Sequence, residues 1–258
     1  MDPRFVDTHC HFDFAPFSGD EAKSLRHAAD AGVEKIIVVS VAASRFAGVM
    51  ALAERWQPLY AALGIHPMAV ADHDDSHLQQ LEDYLKRRPE KLVAIGEIGL
   101  DLLIDNPQFD RQQAVLAAQL RLARDYCLPV ILHSRRTHDK LAMQLRKFNL
   151  PRRGVIHGFA GSEQQALAFV RAGYAIGVGG TITYQRASKT RRAIARLPLD
   201  TLLLETDAPD MPMQGFQGQP NRPERLRMIW QSLCEIRDES PQEIAETLRE
   251  NTYRLFCI

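Results

Sequence analysis

Phe5-Val6-Asp7-Thr8-His9-Cys10-His11 opens with an apolar start and then sets two imidazoles two residues apart. Side chains of a strand alternate between faces, so His9 and His11 share one face and Cys10 takes the other. Two imidazoles on one face can converge on a single divalent ion, at Zn–N distances of roughly 2.0–2.1 Å. Taken alone, the same residues also read as polar side chains in a turn. The rest of the chain weighs between the two, because short apolar runs that end on a histidine or a carboxylate recur along it.

Candidate strands are 5–8, 35–40, 59–65, 92–97, 129–133, 154–157, 174–178 and 201–206. Helical patterns lie between them at 22–31, 46–56, 77–88, 109–126, 138–148, 163–171 and 188–196. Strand–helix alternation at this spacing calls for parallel strands with helical crossovers. Eight such units in 258 residues predict an α/β fold of the closed (β/α)8 TIM-barrel kind. An open doubly wound sheet would more often carry a Gly-rich phosphate turn after its first strand, and none is present. A Gly/Pro/Gln-rich loop, 210–223, follows the eighth strand, then a helix from about Glu224 to Arg237 and an extra C-terminal helix from Pro241 to Phe256. Pro223 and Pro241 suit a helix's first turn. With no repeat, linker or low-complexity tract, residues 1–258 are read as one domain.

The composition narrows the function classes. Forty-five per cent hydrophobic and 25% charged residues are those of an ordinary globular protein, and 32 basic against 32 acidic residues leave no net charge. No global field therefore draws the chain to nucleic acid or to an anionic membrane, although a local basic patch stays open. No apolar run approaches the ~20 residues that span a bilayer. The N-terminus lacks the features of a signal or transit peptide. Cys10, Cys127, Cys234 and Cys257 are irregularly spaced without a CxxC, which fits reduced thiols and a cytoplasmic location. No membrane association or obligate protein partner is expected.

His9 and His11 follow the first predicted strand, His66 ends the third, Glu97 the fourth, His133 the fifth, His157 the sixth and Asp207 the eighth. In a TIM barrel the C-terminal ends of the strands form one rim, where active sites lie. Each residue has an ordinary structural alternative, as a core histidine or a helix cap, but jointly those alternatives weaken. The other histidines, His27, His73, His77 and His138, are read as surface residues. Four imidazoles and two carboxylates exceed one tetrahedral site and suffice for two ions sharing a carboxylate. Paired ions roughly 3.5–4 Å apart can activate water and stabilise a phosphoester displacement. The chemistry implied is hydrolysis.

Val6-Asp7-Thr8-His9-Cys10-His11, Gly64-Ile65-His66-Pro67, Gly96-Glu97-Ile98-Gly99-Leu100-Asp101, Pro129-Val130-Ile131-Leu132-His133, His157-Gly158-Phe159 and Leu204-Glu205-Thr206-Asp207-Ala208-Pro209 occur in that order. Together they resemble the TatD-related metal-dependent hydrolases, particularly the YjjV-like group, over nearly the whole chain. The resemblance implies a TIM-barrel hydrolase with two divalent cations, zinc, manganese or magnesium, in a family whose best-known members are deoxyribonucleases. It implies that His9, His11 and Asp207 hold one ion, His133 and His157 a second, and that Glu97 bridges them. It also gives Asp207 the task of orienting or deprotonating the attacking water. The implied substrate is a phosphoester, DNA among the candidates.

Several assignments stay open on the sequence. His66 faces the substrate as a donor to a phosphate oxygen, or is a buried histidine braced by Pro67. Glu205, on the same strand face as Asp207, contacts the substrate, orients a ligand from behind, or is an interior carboxylate. Asp101 positions a ligand or caps a turn after Gly99, with the turn favoured. Met68 stands where many relatives carry a second histidine, and Leu102-Leu103 where an aromatic pair is common, so DNA as the true substrate is in doubt. Arg135, Arg136, Lys189, Arg191 and Arg192 are solvated helix faces or a phosphate clamp. The segment 214–219 around Phe216 is a bland surface loop or a lid whose ring stacks on a base. The competing readings are an amidohydrolase-type amide or ester hydrolase and a non-catalytic barrel that binds metal or nucleic acid. Glu97, where the amidohydrolase rivals often bridge with a modified lysine, points to the TatD side.

Overall fold

In a computed structural model that describes residues 2–258, the eight strands are β1 Phe5–Cys10, β2 Val33–Val39, β3 Leu59–Leu63, β4 Leu92–Asp101, β5 Val130–Arg135, β6 Gly154–Ile156, β7 Ala175–Val178 and β8 Leu202–Leu204. They pair in parallel in chain order from β1 to β8. Helices α1 Glu21–Asp30, α2 Phe46–Arg55, α3 Asp75–Arg87, α4 Phe109–Asp125, α5 His138–Leu145, α6 Glu163–Arg171 and α7 Ser188–Arg196 cross over between successive strands. Two more follow β8: α8 Leu226–Cys234 and α9 Pro241–Phe256. The expected TIM barrel is the observed architecture. Among the described residues no helix is long and apolar enough to cross a membrane.

The barrel has an apolar floor. Ile37 and Val39 of β2, Ala62 of β3, Ala94 of β4, Ile131 of β5, Val155 of β6 and Leu203 of β8 form one buried cluster with Phe256 of α9. Strand periodicity then dictates what lies above that floor. Two residues on from Ile131 is His133, two on from Val155 is His157, and two and four on from Leu203 are Glu205 and Asp207. The inward face thus changes from aliphatic to ionisable within one step toward the C-terminal rim. The extra helix α9 brings Phe256 to the apolar cluster, with Leu255 and Ile258 packed against it.

Several boundaries differ from the sequence expectation. Glu97 does not end its strand, because β4 runs on to Asp101. The β4–β5 register shifts between Ile95 and Ile98, and the Glu97 amide donates to Ser40 O at 3.0 Å. A bulge of this kind redirects a side chain in mid-strand, which alternation alone does not reveal. β6 and β8 are three residues each, so His157 and Asp207 lie just beyond regular pairing. The helix expected over 224–237 is a 3-10 turn at Pro223–Arg225 followed by α8. His73 and His138 are buried, not surface residues: the His138 ring meets Phe159 edge-on at 5.3 Å, and Arg111 donates to the His73 carbonyl.

Between β1 and β8 a single parallel bridge, Cys10 to Ala208, replaces a ladder. Asp207 N donates to His9 O at 2.9 Å, His11 N to Ala208 O at 2.7 Å, and Thr8 Oγ1 to Leu204 O at 3.0 Å. Asp7 reinforces this seam from a fully buried position. Its carboxylate accepts from Thr206 N at 2.9 Å, Thr206 Oγ1 at 2.5 Å and His9 N at 3.3 Å. Burial raises the Asp7 carboxyl to about 7 against the pull of these bonds. Removing the acceptor leaves buried donors unpaired, at about 1–3 kcal/mol. Asp7→Ala is therefore expected to lower the urea midpoint by that much stability, and an unchanged midpoint would show that the seam does not depend on it.

Candidate metal centre

Glu97 is the hub of the rim. Its Oε2 lies 3.3 Å from His9 Nε2 and 3.6 Å from His11 Nε2. Asp207 Oδ1 lies 3.3 Å and 3.5 Å from the same two nitrogens. The other Glu97 oxygen, Oε1, faces His157 Nε2 at 2.7 Å, His133 Nδ1 at 2.8 Å and His66 Nε2 at 3.3 Å. His133 Nδ1 and His157 Nε2 are 3.2 Å apart. One carboxylate thus turns each oxygen to a different group of imidazoles. The six residues expected as ligands, His9, His11, Glu97, His133, His157 and Asp207, come together at one place, as does His66.

The donor set fits divalent metal. Ligand atoms around an ion with bonds of about 2.0–2.1 Å stand roughly 2.9–3.4 Å from each other, close to the spacings above. His9 is fully buried, yet neither of its ring nitrogens has a hydrogen-bond partner, and His11 Nδ1 and His157 Nδ1 are likewise unpaired. Buried polar atoms are normally satisfied, so an unpartnered His9 Nε2 beside two carboxylate oxygens calls for a cation. His133 supplies a second sign. Its Nε2 lies 2.9 Å from Asp101 Oδ2, which as a carboxylate can only accept, so Nε2–H donates. Its Nδ1 lies 2.8 Å from Glu97 Oε1, a contact that needs positive charge between the two atoms. Burial opposes a proton there, but the bonds to Asp101 and Glu97 raise His133 above the usual imidazole range, and a bound cation would take that proton's place.

The electrostatics agree. Burial would raise the Glu97 carboxyl, but His157, His66, His9 and the bond to His133 hold it well below the usual carboxylate range. Burial likewise opposes charge on His157, but Glu97 outweighs it and lifts that imidazole to about 10. His11 is raised to about 9, burial being overcome by Asp207 and Glu97. His9, buried and beside His157, falls to about 4. The cluster thus draws positive charge onto His11, His133 and His157, which a bound dication would displace as protons, and keeps His9 neutral.

Other expected residues divide. His66 Nδ1 accepts from Met68 N at 3.1 Å, so its Nε2 carries the proton of the neutral ring and is a donor. Asp101 does both things weighed for it: Oδ1 caps a turn by accepting from Leu103 N at 2.7 Å, and Oδ2 orients His133. The preference for the turn alone is corrected. Glu205 is fully buried, accepts from Gly158 N, and lies 3.8 Å from His157 Nδ1. It stands behind His157, so a substrate contact is ruled out by burial. A Cβ at Gly177 would fall 2.5 Å from Glu205 Oε2, so β7 leaves room for this carboxylate. His9, His157 and Glu205 also bring donor atoms within 4.8 Å of one another. His157 Nε2 also lies 2.7 Å from Glu97 Oε1, the oxygen that His133 Nδ1 faces.

Phe216 is not a free lid residue: it packs on the core beneath the Arg225 guanidinium at 4.0 Å. Its loop is tied to 183–185 by Gln214 N to Thr183 Oγ1 at 3.0 Å and Gln185 N to Gln214 Oε1 at 3.3 Å. Arg191 is pinned to the Ile182 carbonyl, whereas Arg135 lies 3.9 Å from Asp101 Oδ2. Asp101 and Asp7 are the supporting residues that strand reading undervalued. Carrying β4 through to residue 101 would have placed Asp101 on the site, opposite Arg135 in register.

The family model for TatD related DNase matches residues 6–257. The chain belongs to this family of metal-dependent hydrolases. It is 66% identical over 255 residues to the Escherichia coli metal-dependent hydrolase YjjV, covering 99% of this chain and 98% of that one. The crystal structure of E. coli YjjV superposes with a TM-score of 0.98 at 65% identity, over 100% of both chains. A 3'-5' ssDNA/RNA exonuclease TatD from Rahnella is 30% identical over 253 residues, 94% of each chain.

Partners that orient a ligating histidine typically change metal affinity about 10–100-fold when removed. Asp101→Ala is expected to weaken divalent-metal binding by that factor, measured by competition with a chromogenic chelator. An affinity equal to that of the unaltered protein would remove Asp101 from the centre.

Proposed function

We propose that this TatD-family protein is a two-metal phosphodiesterase acting on nucleic acid, with residues 1–258 working as one barrel. The observation that carries the reading is the division of Glu97, whose two oxygens address two separate ligand sets. His9, His11 and Asp207 with Glu97 Oε2 would hold one cation, and His133 and His157 with Glu97 Oε1 the other. Bound there, the two cations would supply a water of lowered pKa and Lewis-acid stabilisation of the phosphoryl oxygens. An imidazole-rich set suits zinc or manganese better than magnesium.

The chain's own groups supply the rest. Asp207 is 15% exposed where Glu97 and His9 are closed over, so it is the carboxylate that meets the attacking water and takes its proton. His66, with Nδ1 committed to Met68 N, holds Nε2–H 3.3 Å from Glu97 Oε1, and once a cation takes up that oxygen the same N–H is free to donate to a phosphoryl oxygen. Asp101 fixes the ring of His133 from behind, and Glu205 stands behind His157 at 3.8 Å from its Nδ1. The deoxyribonuclease and exonuclease names among the relatives support nucleic acid as substrate. The four free cysteines fit a cytoplasmic setting.

The test is hydrolysis by manganese- or zinc-loaded protein of phosphodiesters, phosphomonoesters, carboxyl esters and amides. Phosphodiester cleavage that chelation abolishes is expected, and turnover confined to amides or carboxyl esters would replace the proposal with the amidohydrolase reading. Asp207→Asn should lower kcat by about 10²–10⁴ while the circular dichroism spectrum is kept, since it removes a positioned base. Undiminished turnover in that variant would take Asp207 out of the mechanism.

A further inference from the structure

Outward from the site residues, three neighbouring segments of the rim each continue by two residues, as a 3-10 turn at Pro67–Ala69 beyond β3, as the turn after β4 and as the end of β5, and the side chains change character. Met68 follows His66, Leu103 follows Asp101 and Arg135 follows His133. Met68 N donates to His66 Nδ1 at 3.1 Å and Leu103 N to Asp101 Oδ1 at 2.7 Å, so both backbones are tied to residues of the site. Arg135 shares the strand face of His133 and pairs in register with Asp101. The His66 and His133 rings are 4.3 Å apart, and His133 bonds Asp101, so the three attachment points are contiguous. They form one sector of the rim, over β3, β4 and β5.

This sector is open. Met68 is 61% exposed and Leu103 42%, two of the five large apolar side chains exposed among the described residues. The Arg135 side chain is 58% exposed, and its one ion pair among the described residues is the 3.9 Å approach to Asp101. By contrast, Arg45 and Arg191 are held by Asp13 and by Ile182.

An exposed thioether and an isobutyl group beside a hydrolytic centre gain from a ligand that covers them. A planar heteroaromatic ring does so, because Met sulfur contacts aromatic rings favourably and stacking tolerates any base. A guanidinium with unused donors beside that surface suits a phosphate in bidentate fashion. We infer that Met68, Leu103 and Arg135 form a nucleotide subsite, in which Met68 and Leu103 cover one base and Arg135 holds a phosphate attached to that nucleotide. They select the substrate and take no part in the chemistry. The inference rests on the phosphodiesterase reading above and names the unit that reading leaves open.

Equilibrium binding to the manganese-loaded protein separates the two. Thymidine 5'-monophosphate is expected to bind about tenfold tighter than 2-deoxyribose 5-phosphate, the gain of covering one base. In the double variant Met68→Ser, Leu103→Ser that ratio should fall to about one, and in Arg135→Gln both ligands should weaken by about tenfold. The single variant Met68→Gln repeats the test with little change in bulk. Single-stranded oligonucleotides set against abasic strands of equal length should show the same pattern in KM. Equal binding of the two phosphates by the unaltered protein, or a base preference that survives in the double variant, would overturn the subsite. Base-selective binding without hydrolysis of any phosphodiester would support the subsite and overturn the reaction, whereas hydrolysis without base preference would do the reverse.

Discussion

The structure is organised around a buried carboxylate that cannot be left uncompensated. Glu97 is closed off from solvent at the centre of five imidazoles. A lone carboxylate in such a place would neutralise by taking up a proton, because burying an unpaired charge is too costly. Here the histidines hold it anionic, and they do so from β1 and the residue just beyond it, from the loop after β3, from β5 and from just beyond β6. Only a closed parallel barrel brings those ends to one point. The bulge in β4 and the close approach of β4 to β5, where a Cβ at Gly99 would lie 2.0 Å from the His133 carbonyl, serve to carry Glu97 there.

The barrel interior reads as layers with different solvation. At the bottom, Ile37, Ala62, Ala94, Ile131, Val155 and Leu203 need no hydrogen-bond partners and exclude water. The next layer holds Glu97, His133, His157 and Glu205, whose charges are mutually compensated. The outermost layer, with Met68, Leu103 and Arg135, meets solvent. A dry floor lowers the local dielectric beneath the charges, which strengthens each interaction in the layer above. The same burial has a cost at Glu205: desolvation raises its carboxyl to about 8, although His157 and the Gly158 amide favour its anion.

Much of this was legible because the barrel repeats one local rule. Alternation along β5 sets His133 over Ile131, whereas Asp207, three residues beyond β8, is held at the rim by its amide bond to His9 O, so a strand-end histidine or aspartate in the sequence translates into a rim residue. The rule failed where pairing is irregular. In the sequence Glu97 looks like a strand end because the shift between Ile95 and Ile98 leaves no mark in the hydrophobic pattern, and Asp101 then falls outside the strand. Burial was the second blind spot. Glu205 shares a strand face with Asp207, but face alone does not say how deep a residue sits, and Gly177 opposite it is what draws the carboxylate inward. His138 was placed outside on the strength of a helical position, although the first residue of a helix over a barrel rim can turn its ring onto Phe159.

Closure of the barrel and assembly of the first ligand set are one event. β1 and β8 meet through a single bridge, and His9 and Asp207, two of the candidate ligands, exchange a backbone bond of 2.9 Å across that seam. Asp7 pins Thr206 and the His9 amide from beneath, so the same carboxylate joins the strands and spaces the ligands. A cation held by His9, His11 and Asp207 would therefore cross-link the first and last strands, and its binding free energy would add to the stability of the closed form. β8 has only three paired residues, and beyond it the seam is completed by the Cys10–Ala208 bridge and the bonds of Thr8, Asp7 and Asp207. The motif at residues 9–11, which alone could be a polar turn, is where the barrel's first and last strands are joined.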